Sequence, residues 1–260
     1  MHTYSNNILN IDIHILYARY VELDSRWYAD NITSPYTRIY MVTEGCGNIS
    51  CHGKEYSLVP GYIYVIPAGL RFSFHCTDKL CKTFFHISIP TPEGYDLLER
   101  LDHPVEFSSP EQITRITSAL AEHSVQSILE IKSCLYQLVG RCLAETSPIT
   151  LRKYSEYVTK IIHYVNHYPN ASLTADTIAR ALLTSTSRLR STFRAETGTP
   201  IGTYIHDRVL YYAELQVRCS TKSIKEISES LGYCDQFYFS RCFARKFGLS
   251  PTKYRERINI

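Results

Sequence analysis

The residues from 223 to 247 constrain this chain more than any other stretch. Ser223 and Glu226 stand three apart at the head of an apolar run, the capping-box spacing in which a hydroxyl and a carboxylate cover orphan amides at a helix start. Ile224, Ile227 and Leu231 then recur at i, i+3 and i+7, one apolar stripe on a short helix. Gly232 supplies the left-handed residue that ends such a helix. Asp235 is placed to cap a second helix, in which Phe239 and Phe243 share a face beside Tyr238 and Cys242. Two short helices joined by a tight glycine turn form the helix-turn-helix pattern. The outward face of the second helix carries Gln236, Ser240, Arg241, Arg245 and Lys246, types suited to base edges and phosphates.

The upstream half repeats the plan. Ile178, Ala179 and Leu182 make a short stripe, Ser185 can cap the next helix, and Leu189 with Phe193 give its buried side. Arg188, Arg190 and Arg194 are left for the outside. Residues 201–217 read as a longer helix joining the two units, and 154–168, with Val158, Ile161, Ile162 and Val165 facing inward, open the domain. The charge distribution agrees. Residues 151–260 hold 17 Lys/Arg against 9 Asp/Glu, while residues 1–150 hold 11 against 16. A net +3 thus conceals +8 in one half and −5 in the other, and confined basic charge is the footprint of phosphate contact.

These residues resemble the AraC/XylS transcription factors. The match rests on Gly232-Tyr233, Asp235-Gln236, Tyr238-Phe239-Ser240-Arg241, Phe243, Gly248, Ser250-Pro251 and Tyr254-Arg255, and upstream on Ala179, Ser185, Leu189, Phe193, Glu196-Thr197-Gly198 and Tyr204. It covers roughly the last 100 residues. Three positions depart from the family pattern: Leu183 replaces the usual turn Gly, Phe237 the usual Ser, and Val209 the usual Arg. The resemblance implies recognition helices at about 185–196 and 235–246. Ser187, Arg190 and Ser191 in the first, and Gln236, Phe237, Ser240 and Arg241 in the second, then face the groove. Arg188, Arg194, Arg245 and Lys246 are expected to be phosphate contacts or solvated charges. It also implies a homodimer acting on double-stranded DNA, an activator touching RNA polymerase, and a small-molecule effector. No cofactor is expected.

The first hundred residues read differently. Short β-branched and aromatic runs at 36–42, 48–51, 55–59, 62–66, 70–76 and 83–89 are separated by turns such as His52-Gly53 and Pro60-Gly61. That spacing predicts a small antiparallel barrel or jelly roll. Gly61, Pro67 and Gly69 resemble the second motif of the cupin barrel. Phe72 stands where metal-binding cupins place a His, and no His-x-His pair precedes Gly61, so neither metal chemistry nor a cupin enzyme is expected. Alternation places Arg38 with Tyr40, Tyr64 with Tyr62 and Ile66, and Phe72 with Phe74, each on one strand face, with His86 late in the last strand. Arg38, Tyr40, Tyr64, Phe72, Phe74 and His86 form a candidate pocket suited to a hydroxylated ligand such as a sugar; plain barrel core is the competing reading.

The expected fold class is α+β. It comprises a cupin-like effector-binding β-barrel (1–109), a helical dimerisation segment and linker (110–150), and an all-α double helix-turn-helix domain whose two units are joined by a long helix (151–260). Residues 1–35 read as a short strand or arm. Ile128, Ile131, Leu135, Leu138 and Cys142 form a seam with spacings of 3, 4, 3 and 4, able to pack on the barrel or join two copies. No run approaches the roughly 18 apolar residues of a membrane helix, and no secretory segment follows Met1. Nine cysteines without such a segment fit a reducing cytoplasm. The pairs Cys46/Cys51 and Cys76/Cys81 leave a metal or redox sensor as an alternative.

Overall fold

The computed structural model describes residues 11–91, 94–144 and 154–258. The expected linker at 146–150 lies outside them. The chain divides into two compact units, one built from residues 1–91 and 95–151, the other from 92–94 and 152–260.

The first unit contains two antiparallel sheets. One holds β1 (His14–Leu23), β8 (Leu80–Ser88), β3 (Thr37–Gly45), β6 (Tyr62–Ile66) and β9 (Val105–Ser108), in that order. The other holds β2 (Tyr28–Ile32), β7 (Phe72–His75), β4 (Gly47–Cys51) and β5 (Lys54–Leu58). The orders 1-8-3-6 and 2-7-4-5 are those of a jelly roll, with β9 added at one edge. The strand predictions from residue 36 onward correspond to β3–β8. Residues 1–35 hold more than an arm, since β1 spans ten residues paired along β8, and β2 follows. Beyond the predicted strands, β9 adds one more at Val105–Ser108.

Strand β3 shows how this unit is layered. Its residues are buried on both sides, so period-2 alternation separates two different environments rather than core from water. Ile39 and Met41 join Ile63, Val65, Phe85 and Ile87 on the outer face of the five-stranded sheet. Two helices, α1 (Pro110–Glu122) and α2 (Val125–Ala144), cover that face with Ile113, Ile116, Ile131, Leu135, Leu138 and Cys142. The 3-4-3-4 seam therefore lies mostly inside this unit's own core. Its first member, Ile128, is exposed, as are Val125 and Leu129. Arg38 and Tyr40 alternate to the inner face.

The helical unit is built around α6 (Ile201–Cys219). Against it pack α3 (Glu156–His167), α5 (Thr186–Thr197), α7 (Ile224–Ser230), α8 (Gln236–Phe247) and α9 (Pro251–Ile258). The short α4 (Ala175–Ala181) packs on α5. Inside, Leu189, Phe193, Tyr204, Leu210, Ala213, Phe239 and Phe243 are all buried. Glu214 on α6 accepts from Tyr254 Oη (3.1 Å) and from Arg218 Nε (3.2 Å), which ties α9 to α6. No helix among the described residues is long and apolar enough to cross a membrane.

Candidate nucleic-acid interface and sheet interior

The two helix-turn-helix units are built alike, cap by cap. Helix α4 opens on a capping box between Thr174 and Thr177, and α7 on one between Ser223 and Glu226. Both end in the same double hydrogen-bonded turn. In α4, Leu183 N donates to Arg180 O (3.3 Å) and Thr184 N to Ala179 O (2.9 Å). In α7, Gly232 N donates to Glu229 O and Tyr233 N to Ser228 O, each at 3.0 Å. The residue at the centre of each turn is left-handed, at φ 52° for Leu183 and 75° for Gly232. A second cap follows each turn. Ser185 accepts from Arg188 N, and Asp235 accepts from Phe237 N (3.0 Å) and Tyr238 N (2.9 Å).

These caps fix which side of α5 and α8 faces out. On α5, Leu189 and Phe193 are buried while Ser187, Arg188, Arg190, Ser191 and Arg194 are exposed. On α8, Phe239, Cys242, Phe243 and Phe247 point inward. Arg241, Arg245 and Lys246 are exposed, Gln236 and Ser240 half-buried. Phe237 is 76% exposed, an aromatic ring in water at the first turn of the helix. Each group of predicted contact residues thus lies on the outer side of its own helix. Some are already engaged: Lys246 Nζ lies 2.9 Å from Asp207 Oδ1, and the Arg188 guanidinium sits 5.5 Å from the Tyr157 ring centre.

The second candidate site is the space between the sheets. Register places Arg38 opposite His86 and Ile66, Tyr40 opposite Phe84 and Tyr64, and Val42 opposite Lys82, so these side chains share the inner face. From the other sheet, the Phe72 ring centre lies 5.6 Å from the Arg38 guanidinium. Phe74 stacks on Trp27 with ring centres 4.2 Å apart. Arg38 donates to Ser34 Oγ (2.7 Å from Nη2), Tyr36 Oη (3.3 Å) and Tyr40 Oη (3.4 Å). His86 lies over the Tyr36 ring at 4.7 Å. Five of the six predicted pocket residues converge here. Tyr64 shares the face, but its hydroxyl donates to Ser57 O (2.6 Å) and accepts from Val59 N (3.0 Å), bolting β6 to β5.

The composition of this interior was only partly predicted. Lys82 stands in β8 with its ammonium 3.3 Å from the Tyr40 ring centre and 3.8 Å from that of Trp27. It is only 2% exposed, and burial and the nearby Arg38 hold its pKa well below the ordinary lysine value. Lys82, Phe84 and His86 alternate on one face of β8, a pattern readable from sequence once that strand's inner side is known. Of the paired cysteines, Cys76 lies near enough to Lys82 to favour its ammonium. Cys46, Cys51, Cys76 and Cys81 are free thiols, and among the described residues no three His, Cys, Asp or Glu side chains come together as a metal site.

Comparison with known proteins places both units. A helix-turn-helix domain family matches residues 178–257. The MmsAB operon regulatory protein of Pseudomonas aeruginosa is 33% identical over 217 residues, covering 79% of this chain and 69% of its own. The lactose operon transcription activator of Staphylococcus xylosus is 23% identical over 238 residues, 85% of this chain and 84% of its own. Among solved structures, ToxT of Vibrio cholerae superposes with a TM-score of 0.60 at 12% identity, covering 93% of this chain and 97% of that one. That likeness extends the shared fold to the sheet unit as well as the helical one. With two paired sheets followed along the chain by paired helix-turn-helix units, and a relative matched along most of both chains, this protein belongs to the AraC/XylS family of transcription regulators and carries its DNA-binding domain.

Proposed function

We propose that α5 and α8 enter successive major-groove segments on one face of duplex DNA, roughly 34 Å or one helical turn apart. Ser187, Arg190, Ser191, Gln236, Phe237, Ser240 and Arg241 read base edges, while Arg188, Arg194, Arg245 and Lys246 hold phosphates. The observation that carries this assignment is the duplicated cap-turn-cap framework, which leaves one polar, basic face exposed on each second helix. The excess of eight positive charges in residues 151–260 supports it.

A small molecule held between the two sheets biases the arrangement of the DNA-binding units, which requires different affinity for the two arrangements. The convergence of Arg38, Tyr40, Phe72, Phe74 and His86 supports that site. So does a structural neighbour, ToxT, solved with an unsaturated fatty acid bound. The regulator acts as a homodimer, for which exposed Val125, Ile128 and Leu129 on α2 offer an apolar surface, and activates through RNA polymerase. A lactose operon activator among the relatives favours activation.

The test is selection of genomic fragments by purified full-length protein. Enrichment of a motif with two short conserved segments about one helical turn apart, lost on raising salt, is the expected result. Recovery of fragments no better than a scrambled library would remove the assignment.

A further inference from the structure

The interior of the sheet unit contains a charge imbalance that its packing does not require. Lys82 sits in the middle of β8 among aromatic rings, where an apolar residue would complete the core. No carboxylate meets its ammonium among the described residues; its neighbours are the faces of Tyr40 and Trp27 and the Cys76 thiol, whose own pKa burial pushes up. Arg38, a second buried cation, lies close enough to repel it. Arg38 meets the neutral hydroxyls of Ser34, Tyr36 and Tyr40. Buried charges in proteins are ordinarily paired. Lys82, set among ring faces with no carboxylate to meet its charge, makes this interior electrostatically complementary to an anion.

We propose that the effector is a small organic anion, a carboxylate on an apolar or aromatic skeleton, with the Lys82 ammonium as its counter-charge and the Trp27, Tyr40, Phe72 and Phe74 rings as its walls. The proposal rests on the reading above that the sheet interior holds the effector. It replaces a neutral, hydroxylated ligand such as a sugar with a charged one. The two parts of the ligand would be recognised separately: the charge by Lys82, assisted by Arg38, and the skeleton by ring faces that bury apolar area without demanding hydrogen bonds. A neutral polyol would leave Lys82 uncompensated and would place its own hydroxyls against rings.

Trp27 is the chain's only tryptophan and lies 3.8 Å from the Lys82 ammonium, so its fluorescence reports this site directly. Full-length protein would be titrated with a series of carboxylates of increasing apolar size (butyrate, benzoate, phenylacetate, decanoate). Each would be paired with its neutral amide, alongside arabinose and glucose. The same titrations would be run on Lys82→Met and Lys82→Gln, with circular dichroism to confirm folding. The expected result is a saturable Trp27 change with at least one carboxylate, on the order of tenfold or more weaker for the matching amide, and weakened similarly in both variants. The carboxylate–amide comparison on the unaltered protein stands even if neither variant folds. A sugar or an amide that binds as well as any carboxylate, with Lys82 indifferent, overturns the anionic class and leaves the interior effector site intact. Silence of Trp27 across the whole series overturns the anion proposal. If Lys82→Met then also melts at a lower temperature than the unaltered protein, Lys82 is a structural cation and the interior effector site falls with it.

Discussion

Leu183→Gly should stabilise the helical unit, although it removes a large side chain. Leu183 occupies the centre of the α4 turn at φ 52°, where its β-carbon crowds the backbone, and its side chain is 95% exposed, so no packing is lost. Relief of a left-handed non-glycine conformation is worth about 1–2 kcal/mol. Glycine's extra freedom in the unfolded chain takes back about 0.5–1 kcal/mol. The net gain is about 0.5–1 kcal/mol. The turn's two hydrogen bonds use backbone atoms only, so they survive the substitution. Hydrogen exchange of the buried α5 and α6 amides, read by mass spectrometry under conditions where global opening limits exchange, should slow roughly two- to fivefold, the Boltzmann factor of that energy. Gly232→Ala is the mirror experiment. Its φ of 75° imposes the left-handed cost, and a new Cβ would run into the Asn170 amide. At about 2 kcal/mol or more, exchange in the same amides should accelerate roughly thirtyfold. Unchanged or faster exchange in Leu183→Gly would refute the strain assignment, because the turn would then hold Leu183 at no cost.

The remaining predictions concern caps and contacts. Asp235→Ala removes the acceptor for Phe237 N and Tyr238 N and should cost about 1 kcal/mol of stability, whereas Asp235→Ser recovers most of it; equal melts for Ala and Ser would discount the cap. Arg190→Ala should cost about 1–3 kcal/mol on cognate DNA and relax preference at one base pair, and matched losses on cognate and scrambled DNA would remove its role as a reader. Lys246→Ala should weaken all sequences alike and reduce the salt dependence by about one phosphate contact, an unchanged salt slope counting against it; the loss is tempered because Lys246 already pairs with Asp207. Phe237→Ser should lower affinity chiefly for sites with thymine under the start of α8, since an exposed ring there can meet a thymine methyl; no base-dependent difference would argue against that contact.

What could be read from sequence tracks the range over which each element is determined. The helical unit was legible because its decisive interactions are local. Ser223 with Glu226, Asp235 with Phe237 and the Gly232 turn each close within about five residues, and apolar stripes on a 3.6-residue period identify the inner faces. The Thr174–Thr177 box is not legible in the same way, because a threonine stands where Glu or Gln marks the usual pattern. The sheet unit was legible as strands and turns but not as an interior. Which side of β8 faces the second sheet depends on its pairing with β3, some forty residues earlier, and both faces of β3 are buried. Alternation therefore divided residues into two sets without revealing which set meets the helices. Lys82 is illegible for that reason, whereas alternation and residue type together suffice to group Arg38 with the aromatics. The seam on α2 shows the same limit. Its period was correct, but only the fold reveals that Ile131, Leu135, Leu138 and Cys142 face this chain's own sheet.

The two units differ in how they treat buried charge. In the helical unit the buried carboxylate of Glu214 is met by Arg218 and by Tyr254. The sheet interior instead buries Lys82, where burial and the nearby Arg38 disfavour its charged form. Burying an ammonium costs several kcal/mol even after relaxation. A desolvated cation–π contact returns about 2 kcal/mol, so the Tyr40 and Trp27 faces offset much of that cost, while Arg38 adds repulsion. The remainder must be carried by apolar packing elsewhere, and the core that joins α1 and α2 to the outer sheet face is large enough to carry it. An anion entering the interior cancels the deficit at its source. Binding therefore draws on free energy already stored in the folded state, and the apo sheet unit is less stable than its packing alone would make it.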